Sequence, residues 1–293
     1  MTRVLNERLV DTDLPGHGRL AMTLRAVRQR PLLPAGITVL LLVLAWALWP
    51  GAFSHYDPLL GVPAQALQGP SGMHWFGTDH LGRDLYSRVV HGASLSLQAT
   101  ALAVLIALAI GVVLGVISGY FGGLLDMALM RLVEVLMAIP ALLLAMAIIT
   151  VLGFGTVNIA LAVGLSSVAT FARLVRGEVL RWRGSVFVEA AVACGVGPWT
   201  IIRRHILAHA AGPVLALTAL EFGSAVLSVS ALSFLGFGAP PPQPEWGLLI
   251  AEGRNYMVAA WWYTTLPGLV VAAVVLATNQ LARAVQHLQG VKR

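Results

Sequence analysis

Few side chains in this sequence are equipped for chemistry, and their types and spacing decide which chemistries are open. His74, Asp79, His80 and Asp84 are all of metal-ligand type. Their spacing is irregular, unlike the short fixed intervals of a metal site, so no metal is expected there. Glu221 lies inside an apolar run. An ionisable group at that depth is costly and seldom faces lipid. Two readings stay open for it: it lines a pathway and meets an amine or a cationic metal complex, or it is a protonated or hydrogen-bonded link between helices. Arg131 and Glu134 are three residues apart and can pair on one helix face, which reads as a structural, snorkelling pair. An intramembrane enzyme needs a nucleophile and base, or a metal, at matching depth, and Glu221 has no His or Asp partner in another apolar run. A phosphate loop needs Gly-x-x-x-x-Gly-Lys-Ser/Thr, but the one lysine is Lys292. ATP is therefore not expected to bind this chain. Cys194 is the sole cysteine, so neither an internal disulfide nor a cysteine metal site can form.

The elements that carry these residues are apolar. Of 293 residues, 58% are hydrophobic and 11% charged, against about 25% charged in a soluble domain. No Asp, Glu, Lys or Arg occurs over 92–125, 135–172 or 255–282, and a spanning helix needs roughly 20 apolar residues. The expected fold is an all-α polytopic membrane protein rather than a β-barrel, whose segments would be short and alternating. Six spans are placed at about 33–49, 95–117, 127–152 (kinked at Pro140), 157–174, 206–227 and 258–281, the fifth continuing into a 232–238 loop. Alternate connections differ in basic residues: sixteen of the 19 Lys and Arg fall on one side, while Arg83, Arg88 and Arg254 fall on the other. By the positive-inside rule both termini are cytoplasmic. The same rule accounts for the net charge of +6 without nucleic acid. Thirty mostly polar residues precede the first apolar run, so no cleavable signal is expected. The outer loops are 51–94 and 236–257. The second contains Pro240, Pro241, Pro242 and Pro244, which stiffen it into a strut. Residues 74–84 read as an amphipathic outer segment packing at the interface, with Trp75 and Phe76, like Trp246, Trp261 and Trp262, in the headgroup zone.

One cytoplasmic stretch breaks the apolar pattern. Residues 185–194 read as a short helix capped by Ser185, with Gly195 ending it in the left-handed conformation and Pro198 opening the next helix. Ala190, Ala191 and Ala193 would let a partner approach closely, and Glu189 offers it one charge.

These residues carry a resemblance. Glu189-Ala190-Ala191, Gly195 and Ile206-Leu207 resemble the loop of permease subunits of binding-protein-dependent ABC importers. Ala208 stands where that family usually has Pro, which weakens the expected bend into the fifth span. Gly77-Thr78-Asp79 with Gly82-Arg83-Asp84, Arg131 and Glu134 with Pro140, Ser233-Phe234-Leu235-Gly236, and Trp246-Gly247 resemble its dipeptide/oligopeptide/nickel branch, in the same order. Val229 stands where many relatives carry an acid, and Asn279–Ala284 departs from their usual tail. The resemblance implies a type I permease fold: a tail (1–31), a first helix (32–50), an outer loop (51–94), a core (95–282) with coupling loop 175–205, and a tail (283–293). It implies a multi-pass protein of a prokaryotic cytoplasmic (inner) membrane, forming half of a pathway for di- or oligopeptides, with nickel or a metal chelate as the alternative. Its partners would be a second permease, two ABC ATPases that hold ATP and Mg, and an external binding protein that the 74–84 segment would contact. An ion-driven secondary transporter is the rival class, but it predicts paired broken helices in inverted repeats, and no such symmetry is evident.

Overall fold

The structure, a computed structural model, describes residues 32–290, with side chains over 33–286. The expected tail 1–31 and residues 291–293 lie outside the described residues. Among those described there is no strand; the one β-type contact is an isolated bridge between Thr78 and Asp84. The main helices are α1 (Leu32–Leu48), α2 (Leu85–Phe121), α3 (Gly123–Ala138), α4 (Ala141–Leu152), α5 (Thr156–Arg183), α6 (Val186–Ala193), α7 (Leu207–Phe234), α8 (Trp246–Gly253) and α9 (Trp261–Gly290).

Four helical stretches are long and apolar enough to cross a membrane: Leu85–Phe121, Thr156–Arg183, Pro198–Phe234 and Trp261–Gln286. The pair α3 and α4 adds a fifth if both arms count as one span, and α1 is a shorter apolar helix. At 17 residues, α1 rises about 25 Å, just under a typical hydrocarbon core.

Several expected boundaries move. α2 begins at Leu85, ten residues before the expected 95, so the outer loop closes at Asp84. The Asp84 carboxylate caps α2 by accepting from the Ser87 amide at 2.7 Å. Arg88 sits in the first turn of α2 without ending it, because its charge is neutralised by buried partners. The expected kink at Pro140 is a full break, and the two arms meet at 97°. Pro140 has no N–H and forces Ile139 out of helical geometry, to φ −93° and ψ 130°. The segment expected as a 232–238 loop is helical to Phe234, and the last helix starts at Trp261 rather than 258.

α2 and α5 form the spine. Gly111, Gly115 and Gly119 on α2 and Gly164 on α5 stand where the two backbones meet; a Cβ on Gly115 would lie 2.7 Å from the Ala172 carbonyl oxygen. Small residues at four-residue spacing let membrane helices approach closely, which substitutes for a hydrophobic drive that lipid does not supply. Four apolar clusters line the spine; one joins Val133 of α3 to Ala169 and Ala172 of α5, and the other three, named outer, middle and inner for their order from the start of α2, run along it. The outer one joins Trp46, Val89, Trp246 and Tyr263. The middle one joins Ala103, Ile149, Ile159 and Val229. The inner one joins Val116, Val175, Val179, Val188, Ile201, Ile202 and Ile206.

Candidate functional site: an exposed elbow and a buried charge knot

The elbow between α5 and α7 keeps its expected outline. Gly195 has φ +77°, which a residue with a Cβ adopts only at a cost. Its amide donates to the Val192 carbonyl at 2.9 Å, and the Val196 amide donates to Ala191 at 3.0 Å, closing the end of α6. Pro198 opens the next turn. Ser185 occupies the capping position, but its hydroxyl donates back to the Trp182 carbonyl at 2.5 Å instead of capping α6. The expected cap bond is therefore absent, and only the Ser185 carbonyl serves the helix, accepting from Val188 and Glu189.

Val188 is the buried side chain of α6, and it anchors the elbow to the inner cluster with Ile206. The opposite face of the elbow is bare. Glu189, Ala190, Val192, Ala193 and Cys194 are exposed and Trp199 is 69% exposed, whereas Ala191, expected on this face, is half-buried and packs with Val188 against the cluster. No hydrogen bond or ion pair involves the Glu189 side chain among the described residues. Leu207 is half-buried and packs against the inner cluster beside the fully buried Ile206. Both therefore hold the elbow on the spans and are not part of its exposed face. The chain enters α7 through a π-helical turn at Ile201–Ile206; that widened turn, with Ala208 just beyond it, marks the join.

The 74–84 segment was expected as an amphipathic outer element. Its charges instead turn inward. Asp79 is fully buried and accepts from Arg83 Nε at 2.6 Å and from Arg88 at 2.7 Å. Arg88, also fully buried, reaches Glu252 at 2.8 Å and donates to the Pro242 carbonyl at 3.4 Å. The Tyr263 hydroxyl donates to Glu252 at 3.0 Å, and His80 Nδ1 lies 3.0 Å from that hydroxyl. Burial pushes the Asp79 carboxyl up. The Arg83 amide and the charges of Arg88 and Arg83 outweigh that push and hold it below the usual range. Asp79, His80 and Glu252 place ligand-type atoms within 4.8 Å of one another. Both carboxylates there are already matched by two guanidiniums, so no net negative charge remains for a cation. Around the knot, Thr78 donates to the Gln65 carbonyl at 2.5 Å, and His74 pairs with Asp84 at 2.8 Å. The Leu85 amide donates to Gly77 at 3.0 Å. A Cβ on Gly82 would fall 1.9 Å from the Val62 carbonyl oxygen.

The remaining motif residues separate. Ser233 and Gly247 meet: a Cβ on Gly247 would lie 2.8 Å from Ser233 Cβ, and Trp246, fully buried, donates to the Val89 carbonyl at 3.0 Å. Phe234 ends α7, Leu235 caps it, and Gly236 turns the chain away at φ +93°. Arg131 and Glu134 pair at 3.2 Å on the exposed face of α3. Glu221 shares a small crevice with Ala103, Val104 and Ala107 of α2, Val163 and Ser167 of α5, and Ala225 of α7.

Three features escaped the sequence reading. Glu252, and with it the role of Arg88, joins positions 164 residues apart. Arg176 holds Asp126 by two bonds of 2.6 and 2.7 Å, and the Ser118 hydroxyl donates to the same carboxylate. Glu245 is 1% exposed and caps α8, accepting from the Gly247 and Leu248 amides. Its Oε1 is also 3.2 Å from the Ser96 hydroxyl. The only sequence signal was the presence of charges beside apolar runs, which does not say what pairs with what.

Comparison with known proteins places this geometry. The family described as binding-protein-dependent transport system inner membrane component matches residues 111–289. The glutathione transport system permease protein GsiD of Pectobacterium atrosepticum is 40% identical over 258 residues, covering 88% of this chain and 85% of its own length. The dipeptide transport system permease protein DppC of Alkalihalophilus pseudofirmus is 42% identical over 219 residues, covering 75% and 72%. In fold, the chain resembles the inward-facing MetNI methionine ABC transporter, with TM-score 0.53, 19% identity and coverage of 68% of this chain and 96% of that one. An amino acid ABC transporter solved with histidines gives TM-score 0.53 at 16% identity, covering 68% and 92%.

Proposed function

This chain belongs to the family of binding-protein-dependent transport system inner membrane components, and on that premise we propose that it is the permease subunit of an ATP-driven peptide importer. It forms half of a translocation pathway, the other half coming from a second, similar permease. Its substrates are di- or oligopeptides, since the relatives at 40–42% identity are glutathione and dipeptide permeases. ATP and Mg belong to two separate ATPase subunits, and an external binding protein delivers the peptide. The termini and the elbow face the cytoplasm, and the 51–84 and 236–257 segments face outward.

The observation that carries this reading is the elbow. α6 is held to the spans by Val188 on one side and on the other presents Glu189, unpaired among the described residues, beside small residues. That shape suits insertion into a groove on an ATPase, with Glu189 meeting a basic group there. Closure of the two ATPases on ATP would then drag the elbow and tilt the spans, a rigid-body switch driven by a ligand bound elsewhere. Glu221, half-buried beside a crevice between three helices of its own chain, is placed either to line the pathway or to link those helices.

Two measurements test the reading. Glu189→Lys should leave the permease pair folded, yet remove co-purifying ATPase and reduce peptide uptake at least about tenfold, as loss of a charged anchor at an interface does. Cys194 is exposed, so a membrane-impermeant maleimide should label it in inverted vesicles and not in intact cells. Labelling from outside, or full ATPase association by Glu189→Lys, would refute the assignment.

A further inference from the structure

The buried knot lies at one end of α2 and the elbow packs near the other. Arg88 is in the first turn of α2 and contacts a carboxylate from each outer segment, Asp79 before the helix and Glu252 on α8. Near the far end, Val116 packs in the same cluster as Val188 of the elbow, and the Phe121 and Trp199 rings are 6.5 Å apart. α2 has 37 residues and no proline, so it is an unbroken rod of about 55 Å. Its glycine face locks it to α5, where a Cβ on Gly111 would meet Phe171 Cβ at 2.4 Å. A rod so packed moves as a body, since close-packed interiors shift between arrangements rather than deform.

We propose that Arg88 is a positioning residue: it fastens both outer segments to the head of α2, so that their displacement by the external partner reaches the elbow through the α2–α5 pair. This rests on the importer reading above and adds to it a specific route for the signal that a loaded binding protein has docked. The chemistry favours a latch over a hinge. Two guanidiniums and two carboxylates cancel, all side chains are at most 12% exposed, and removing one partner strands a buried charge. Direct coupling evidence is what such a route requires.

The test uses the complete importer in lipid nanodiscs, measuring ATP hydrolysis with and without peptide-loaded binding protein. The variant is Arg88→Met combined with Glu252→Gln, which leaves Arg83 and Asp79 as a balanced pair. Assembly and basal hydrolysis should match the wild type, while the stimulated-to-basal ratio should fall about tenfold, the size of a typical allosteric coupling. Retention of full stimulation overturns the proposal, because the knot would then serve stability alone. If the double variant fails to assemble, Arg88→Lys alone decides. It keeps the buried charges balanced, but a single ammonium lacks the planar guanidinium that holds Asp79 and Glu252 together. A partial loss of stimulation supports the latch, and an unchanged ratio overturns it. Wild-type complex without any stimulation by a binding protein would sink the importer reading itself, and this inference with it.

Discussion

Replacing Gly115 by Ala probes the α2–α5 spine with a single methyl group. The new Cβ would lie 2.7 Å from the Ala172 carbonyl oxygen, 2.7 Å from Val175 Cβ and 2.9 Å from the Arg176 amide nitrogen. Carbon atoms pack at about 3.5–4.0 Å, so the helices must part by about 1 Å at this point. Two of the three obstacles are backbone atoms, which a rotamer change cannot move. A gap of that size forfeits about a quarter to a half of each dispersion contact it opens, and overpacked sites of this kind cost about 1–3 kcal/mol. Gly177→Ala, on the same helix as the obstacles, is the control: nothing lies within 4 Å of its Cβ position. There the methyl should stabilise by up to about 1 kcal/mol through helix propensity. The assay is thermal unfolding of the purified protein in detergent, followed by size-exclusion chromatography of the surviving fraction. Gly115→Ala should melt below the wild type and Gly177→Ala at or above it. Equal midpoints for the two variants would refute the claim that glycine is required for the close approach.

Other expectations follow from individual contacts. Gly195→Val places a β-branched residue at φ +77°; it should cost about 1–2 kcal/mol locally and lower ATPase co-purification more than it lowers the melting temperature of the permease. Trp246→Ala empties a fully buried site and removes the indole's hydrogen bond to the Val89 carbonyl, a loss of about 3–5 kcal/mol that should show as reduced folded yield. Asp79 has its acid strength raised in the folded state. Its contribution is thus complete above the ordinary carboxylate value of about 4 and is lost as pH falls below that toward the depressed value. Stability of the segment that carries Asp79, read by its protease resistance, should be flat from neutral pH to about 5 and then decline; Asp79→Asn should remove the acid-dependent part of that decline.

Much of the elbow was legible in the residues because its signals are local. A positive-φ position takes Gly195, a first turn takes Pro198, and a solvent-facing helix side takes Glu189 and small residues. The cap was misjudged for an equally local reason: the Ser185 hydroxyl had a nearer acceptor in the Trp182 carbonyl, and serine chooses between such backbone partners. The start of α2 was placed ten residues late, at 95 rather than Leu85. Arg88 sits inside α2 because Asp79 and Glu252 neutralise it there, and no window of sequence contains both ends of that contact.

The apolar runs, their polar interruptions and the glycine and proline positions are properties of consecutive residues, so sequence alone established a helical membrane protein with an exposed elbow. Which charges meet depends instead on how the helices pack. The 97° break at Pro140, the glycine-faced contact of α2 with α5, and the convergence of Asp79, Arg88, Glu252 and Tyr263 were decided only in three dimensions. The physical reason is that a charge survives burial only beside its complement, and packing alone determines which complement lies within about 3 Å.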